Sequence, residues 1–206
     1  MPIISGYHSR GRLPHLKVAG AVYFVTFRLA DSLPNETVAR LKEERDDRLL
    51  RAQHGIPEVH GRVRRDLVAW YTSEVDSALD QHGGASWLGD RRVAEMVERP
   101  IRFFQGDRYA LHAWCVMPNH VHVVVQPLES YALDSILPSW KSFTAHAANK
   151  LLARPGRAFW QQESYDHWIR DGRDLTHCCH YTENNPVKAG LCDHAEDWPW
   201  SSAARK

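Results

Sequence analysis

The segment at 108–127, RYALHAWCVMPNHVHVVVQP, constrains this chain more than any other. Two runs rich in β-branched and aromatic residues flank Pro118-Asn119, a dipeptide suited to a tight turn, so the segment predicts an antiparallel hairpin. A third run of the same character, AVYFVTFRLA at 21–30, reads as a buried strand. Before it lies a turn-rich leader carrying Arg10, Arg12 and Lys17. After it, Asn35 is placed to cap NETVARLKEERDDRLLRAQHG, whose alternating charges predict a solvated, salt-bridged helix. A second helix is predicted from about Val63 to His82 and a third over Arg91–Gln105. The third carries Val93, Met96, Val97 and Ile101 inward, with Pro100 kinking or interrupting it.

Beyond the hairpin, Leu133 to Ala153 reads as a helix with an apolar stripe of Ile136, Leu137, Trp140, Phe143, Ala147 and Leu151. A short aromatic strand and turn follow within 158–171. The last helix begins near Arg173 or Asp174 and ends at Asn184 or Asn185, because Pro186 disfavours helix in the residue before it. Setting aside the helices within 35–90 leaves the order β-α-β-β-α-β. The expected fold is therefore α+β, a ferredoxin-like core with an antiparallel sheet and a helical insertion between the first strand and the central hairpin. All 206 residues are expected to form one domain, with the insertion at about 35–90 and a short C-terminal tail from about 192.

Composition limits the classes available. At 43% hydrophobic and 25% charged residues the chain can bury a core, which excludes a disordered tail protein. Its 26 Lys and Arg against 25 Asp and Glu give no global basic field, so any affinity for nucleic acid must be local. Much of that balance lies in one segment, where Lys42, Arg45, Arg48 and Arg51 are matched by Glu43, Glu44, Asp46 and Asp47. The cysteines Cys115, Cys178, Cys179 and Cys192 form no CxxC pair, which suggests reduced thiols and a cytoplasmic location. No apolar run of about 18 residues and no charged-then-apolar leader is present, so neither a membrane span nor a signal peptide is expected.

The sharpest chemical feature is His120-Val121-His122. Strand side chains alternate faces, so both imidazoles project together at the mouth of the hairpin, where they can ligate a divalent metal. The plainer alternative is a pair of surface or hydrogen-bonded histidines. No HExxH or HxE-plus-CxxC pattern supports a zinc peptidase or deaminase. On the last helix Asp174, His177, Cys178, Tyr181, Asn185 and Lys188 share one stripe, and Tyr181 and Asn185 stand at i and i+4. An ordinary core tyrosine is the competing reading of Tyr181. The run His177-Cys178-Cys179-His180 invites a zinc reading, which is rejected because four consecutive helical residues point in four directions and cannot close one tetrahedral site.

Four separated stretches, MPNHVHVVVQP, FWQQESYDHWIRD, YTENNPVKAGL and DWPWSS, closely resemble the REP-associated tyrosine transposases, a branch of the single-tyrosine HUH transposases. The resemblance covers 108–202 and, more weakly, the strand at 21–30; the stretch 35–90 carries no family motif. It implies a nuclease that binds hairpin, REP-like palindromic single-stranded DNA and cleaves and rejoins it through a 5′-phosphotyrosine intermediate. His120 and His122 would hold Mg²⁺ or Mn²⁺, Tyr181 would be the nucleophile, and Asn185 the third ligand. Tyr165 then reads as packing, and Tyr131 has no motif support. Lys141, Lys150, Arg154, Arg157 and Arg170 are candidate DNA contacts by proximity to these motifs, though a solvated helix face explains each equally well. Arg10 and Arg12 could also reach DNA. Trp198 and Trp200 are expected to pin the tail to the core.

The resemblance further implies a monomer, with a homodimer that swaps the tyrosine helix as the alternative. Two rival functions stay open. One is a catalytically silent relative that only binds repeat DNA. The other is a metal-dependent phosphodiester hydrolase using His112, His120 and His122, which leaves the Asn-Pro-Val-Lys element unexplained.

Overall fold

The structure, a computed structural model, describes residues 6–9, 14–17, 20–53, 57–81, 83–128 and 130–205. The chain divides into two compact units, one of residues 1–30 with 86–206 and one of residues 31–85. The leader contains a hairpin of β1 (Gly6–Ser9) and β2 (Pro14–Lys17), which the turn-rich reading of that stretch did not foresee. Arg10 and Arg12 lie outside the described residues.

In the larger unit, β3 (Val22–Arg28), β4 (Tyr109–Val116), β5 (His120–Pro127) and β6 (Tyr165–Ile169) form one antiparallel sheet in the order β4-β5-β3-β6. In chain order this is second, third, first, fourth, the strand order of a ferredoxin-like α+β core. The β4–β5 turn closes as tightly as Pro118-Asn119 predicts, with the Met117 amide donating to the His120 carbonyl at 2.9 Å. Helices α3 (Arg91–Phe103) and α4 (Leu133–Leu151) make the two crossovers. They pack on the sheet face that presents Val25 and Phe27. There the Trp114 indole donates to Glu98 and the Trp140 indole to the Tyr109 hydroxyl. Helix α5 (Gly172–Lys188) lies across the other face, over Phe24, Ala113 and Val124.

Three helical details depart from expectation. Pro100 does not end α3, which runs on to Phe103. The Tyr109 hydroxyl ties its last turn down, donating to the Ile101 carbonyl at 2.8 Å. The buried stripe of α4 is Ile136, Leu137, Trp140, Thr144 and Ala148, whereas Phe143 is 62% exposed and Leu151 lies outward. Strict four-residue steps carry the stripe onto Thr144 and Ala148, whose small side chains allow close approach; the Trp160 indole donates to the Thr144 hydroxyl at 2.8 Å. Helix α5 begins at Gly172, capped by the Asp171 carboxylate on the amides of Arg173 and Asp174. It continues through Pro186 to Lys188, because a proline one turn from a helix end forfeits only one ladder bond.

The tail is pinned as the tryptophans suggest. Val116 donates to the Trp200 carbonyl, the Trp198 indole donates to the Val116 carbonyl at 3.0 Å, and Ser201 bridges to Cys115. All four cysteines are free thiols.

The smaller unit pairs α1 (Asn35–Gln53) with α2 (Pro57–Asp80) and buries Leu41, Leu67 and Leu79. Ion pairs Arg48–Glu44 and Arg51–Asp47 run along α1 as its charge alternation predicts. The helix is not solvated throughout, however. Arg45 is buried, and the Arg48 guanidinium stacks 3.9 Å over the Trp70 ring, so long basic stems serve as packing.

Candidate active site

Register decides which side chains meet. Thr26 pairs with His122 and Arg28 with His120 across β3 and β5, and Cys115 pairs with His122 across β4. These positions share the sheet face that α5 covers. Both histidines are fully buried.

Their nitrogens form one hydrogen-bonded row. The two Nε2 atoms stand 2.9 Å apart, His120 Nδ1 is 2.6 Å from Asn119 Oδ1, and His122 Nδ1 is 2.8 Å from Thr26 Oγ1. One tautomer set satisfies every contact. With the Asn119 oxygen as assigned, His120 donates from Nδ1 and its Nε2 carries a lone pair. His122 then donates from Nε2 and accepts the Thr26 hydroxyl at Nδ1. Burial, with the Lys188 charge adding to it, lowers the His122 pKa to about 3, so this imidazole is neutral at physiological pH.

Aromatic rings enclose the pair. Phe24 stacks on His122 at 5.4 Å between centroids, and Tyr181 presents an edge to the same imidazole at 5.5 Å. The Lys188 ammonium lies 5.6 Å from the Tyr181 ring centroid. Asn185 follows Tyr181 by one helical turn. Its side chain is buried, and neither carboxamide atom has a hydrogen-bond partner among the described residues. A buried amide left unpaired costs about 1–3 kcal/mol, and a missing ion is one recognised reason for keeping one.

The donor set fits a divalent ion. The two imidazoles have their Nε2 atoms converging and their Nδ1 atoms held by Asn119 and Thr26. With the His122 proton on Nδ1, donated to the Thr26 oxygen, both Nε2 lone pairs face an ion and the outer partners fix ring orientation. The orphaned Asn185 oxygen is a hard donor of the kind Mg²⁺ or Mn²⁺ takes.

The other residues singled out from sequence are placed as follows. Tyr165 packs at an edge of Phe24, in keeping with a structural role, and Tyr131 lies outward. Lys150, Arg157 and Arg170 are exposed, and the Arg154 guanidinium sits 4.6 Å over the Trp87 ring. The Lys141 ammonium donates to the carbonyls of Gln161 and Gln162 and to the Ser164 hydroxyl at 2.6–3.0 Å. That uses all three of its protons. His112 sits at a bulge between Leu111 and Ala113 and meets Gln126, four residues along β5 from His122. At about 3.3 Å per residue it is roughly 13 Å from the histidine pair, so it cannot complete a three-histidine centre. Sequence reading missed Asn119 and Thr26 as partners of the histidines; the position of Asn119 beside His120 was the one available signal.

The paired histidines thus lie on an antiparallel sheet roofed by a tyrosine-bearing helix, and comparison shows which proteins the chain resembles. Residues 88–185 match the family described as "Transposase IS200 like", a stretch that contains His120, His122, Tyr181 and Asn185. Over that stretch the chain is similar to IS200-like transposases.

It is also similar to REP-associated tyrosine transposases. The one from Escherichia coli (strain K12) is 31% identical over 116 residues, which is 54% of this chain and 65% of the relative. A Haemophilus influenzae relative is 30% identical over 105 residues, 45% of this chain and 58% of its own length. The chain thus aligns with somewhat under two thirds of each relative. A solved structure of a REP-associated tyrosine transposase bound to a REP hairpin has the same fold, with a TM-score of 0.56 at 20% identity, covering 95% of this chain and 82% of that one. No helix among the described residues is long and apolar enough to cross a membrane.

Proposed function

We propose that this protein is a cytoplasmic single-stranded-DNA transposase that binds hairpin, REP-like palindromic DNA and nicks and rejoins it through Tyr181. The observation that carries the reading is the Tyr181 ring set against the buried His120–His122 pair, on a helix whose next turn holds the orphaned Asn185.

His120, His122 and Asn185 would hold Mg²⁺ or Mn²⁺. When bound, the ion supplies Lewis-acid polarisation of the scissile phosphate and offsets its developing charge. The chain's own residues do the rest. The Tyr181 oxygen attacks phosphorus, the P–O3′ bond breaks, and the products are a 5′-phosphotyrosine and a free 3′-OH. The phosphodiester bond is conserved in the adduct, so attack by a 3′-OH reverses the step and releases the tyrosine. Phe24 and His122 restrict the ring from two sides. The phenol gives up its proton as the bond to phosphorus forms and the departing 3′ oxygen takes one up, with the Lys188 cation over the same ring, 5.6 Å from its centroid. Lys150, Arg154, Arg157 and Arg170 are the proposed phosphate contacts, and the working unit is proposed to be a monomer.

The test is a labelled single-stranded hairpin oligonucleotide from the source genome, with Mn²⁺. Tyr181→Phe should abolish the covalent adduct and leave hairpin affinity intact, and EDTA should stop cleavage by the unaltered protein. Adduct formation by Tyr181→Phe at the normal level would move the nucleophile elsewhere. Hairpin binding without an adduct in the unaltered protein would mark a silent repeat binder.

A further inference from the structure

A second cluster of ligand-type side chains lies along α5, outside the histidine pair. His167 projects from β6, and Asp174 and Cys178 stand one turn apart on α5. Their donor atoms all lie within 4.8 Å of one another. His167 Nε2 is 2.9 Å from Asp174 Oδ2, and the Cys178 thiol donates to Asp174 Oδ1 at 3.7 Å. One carboxylate thus gathers an imidazole and a thiol from two elements. His167 and Asp174 are about one third and one quarter exposed, while Cys178 is buried against the sheet.

We propose that His167, Asp174 and Cys178 form a second metal site, for a borderline transition-metal dication of the zinc class. The spacing suits it: ligand distances of about 2.0 Å for nitrogen and oxygen and about 2.3 Å for sulfur put tetrahedral neighbours roughly 3.3–3.5 Å apart. The separations of 2.9 Å to Asp174 Oδ2 and 3.7 Å to its Oδ1 lie on either side of that range, and the set closes when the carboxylate turns to present one oxygen to the ion.

Charge also closes. Thiolate, carboxylate and neutral imidazole carry two negative charges between them, which one dication cancels, and the thiol proton is released on binding. The thiolate, a soft ligand that the histidine pair lacks, selects against Mg²⁺, so this site and the histidine pair would take different metals. The exposed side at His167 leaves room for water as the fourth ligand. A bound ion would tie β6 to the first turns of α5.

Cobalt(II) is the probe, because a thiolate bound to it gives a near-ultraviolet charge-transfer band that imidazole and amide ligands do not. The full chain, kept reduced with a non-thiol reductant, is titrated with Co²⁺ and followed by absorption. The band should saturate at one equivalent and be displaced by Zn²⁺. Cys178→Ser and His167→Ala should abolish it. Cys179→Ser and the His120→Ala, His122→Ala double variant should keep it. Absence of the band in the unaltered protein, or its persistence in Cys178→Ser, would overturn the site. If Cys178→Ser fails to fold, the partly exposed His167→Ala decides, and an unchanged titration in that variant refutes the proposal. None of these readouts depends on cleavage, so they stand or fall apart from the proposed function.

Discussion

Lys141→Met separates a structural lysine from a DNA contact. Methionine keeps most of the stem's volume and removes the ammonium, so its main effect is on the carbonyls of Gln161 and Gln162 and the Ser164 hydroxyl. Burial lowers the Lys141 pKa to about 8, which still leaves the side chain mostly protonated near neutral pH. Charge-assisted hydrogen bonds contribute about 1.5–3 kcal/mol each before the cost of burying the ammonium, and here that cost offsets much of the gain. What remains is three acceptors without their donor, one of them exposed and two part-buried, for a net loss of about 2 kcal/mol. At roughly 2–4 °C per kcal/mol for a protein of this size, the melting temperature should fall by about 4–8 °C. Urea denaturation gives the stability change. Hairpin binding over a range of salt gives the second readout, since losing one phosphate contact lowers the log–log slope by about 0.7–1. A structural Lys141 loses stability and keeps its salt slope. Unchanged stability with a smaller slope would refute this reasoning and restore Lys141 to the DNA interface.

Two further perturbations address α5. Asn185→Leu replaces an unpartnered buried amide by an apolar group of similar size, so in EDTA it should raise stability by about 1 kcal/mol while metal-dependent cleavage falls sharply; a clear destabilisation in urea would show that the amide already has a partner. The Asp174 pKa reflects burial pushing it up, outweighed by the His167 hydrogen bond and the Arg170 amide, which together hold it below its ordinary value of 3.8. A carboxyl lowered on folding contributes stability that is present above the unfolded value and lost as pH falls through the folded one. In EDTA, the stability advantage of the unaltered protein over Asp174→Asn should therefore be full near neutral pH and shrink below about pH 4, and an advantage independent of acid would sink the assignment.

Elements whose pattern is carried within one stretch of chain were legible in the sequence. The β4–β5 hairpin, the buried β3 strand and the ferredoxin-like order follow from β-rich runs punctuated by Pro118-Asn119 and from the helices between them. Elements decided by what packs against them were not. Phe143 looks like core by its hydrophobicity, yet Trp160 needs the Thr144 hydroxyl, and that fixes the rotation of α4. Pro100 and Pro186 look like stops, but an anchor at one helix and nearness to the end of the other make both tolerable. The β1–β2 hairpin lacks the alternation that would announce it.

The same division holds within the sites. His120 and His122 could be paired from alternation alone, and Tyr181 with Asn185 from the helical repeat, because each pair belongs to one element. Bringing the two pairs together is a matter of register: Thr26 opposite His122 fixes β3 against β5, and Phe24, two residues earlier, then supports both the imidazole and the tyrosine. His167 joins Asp174 and Cys178 only because β6 pairs with β3 on the edge beneath α5. The four-residue run from His177 to His180 drew attention as a zinc motif and does not act as one, since His177 and His180 point to solvent. Its Cys178 instead faces a histidine eleven residues upstream, on a strand. Metal ligands are a property of a face shared between elements, and spacing along one helix reveals only the part of the set that the helix itself supplies.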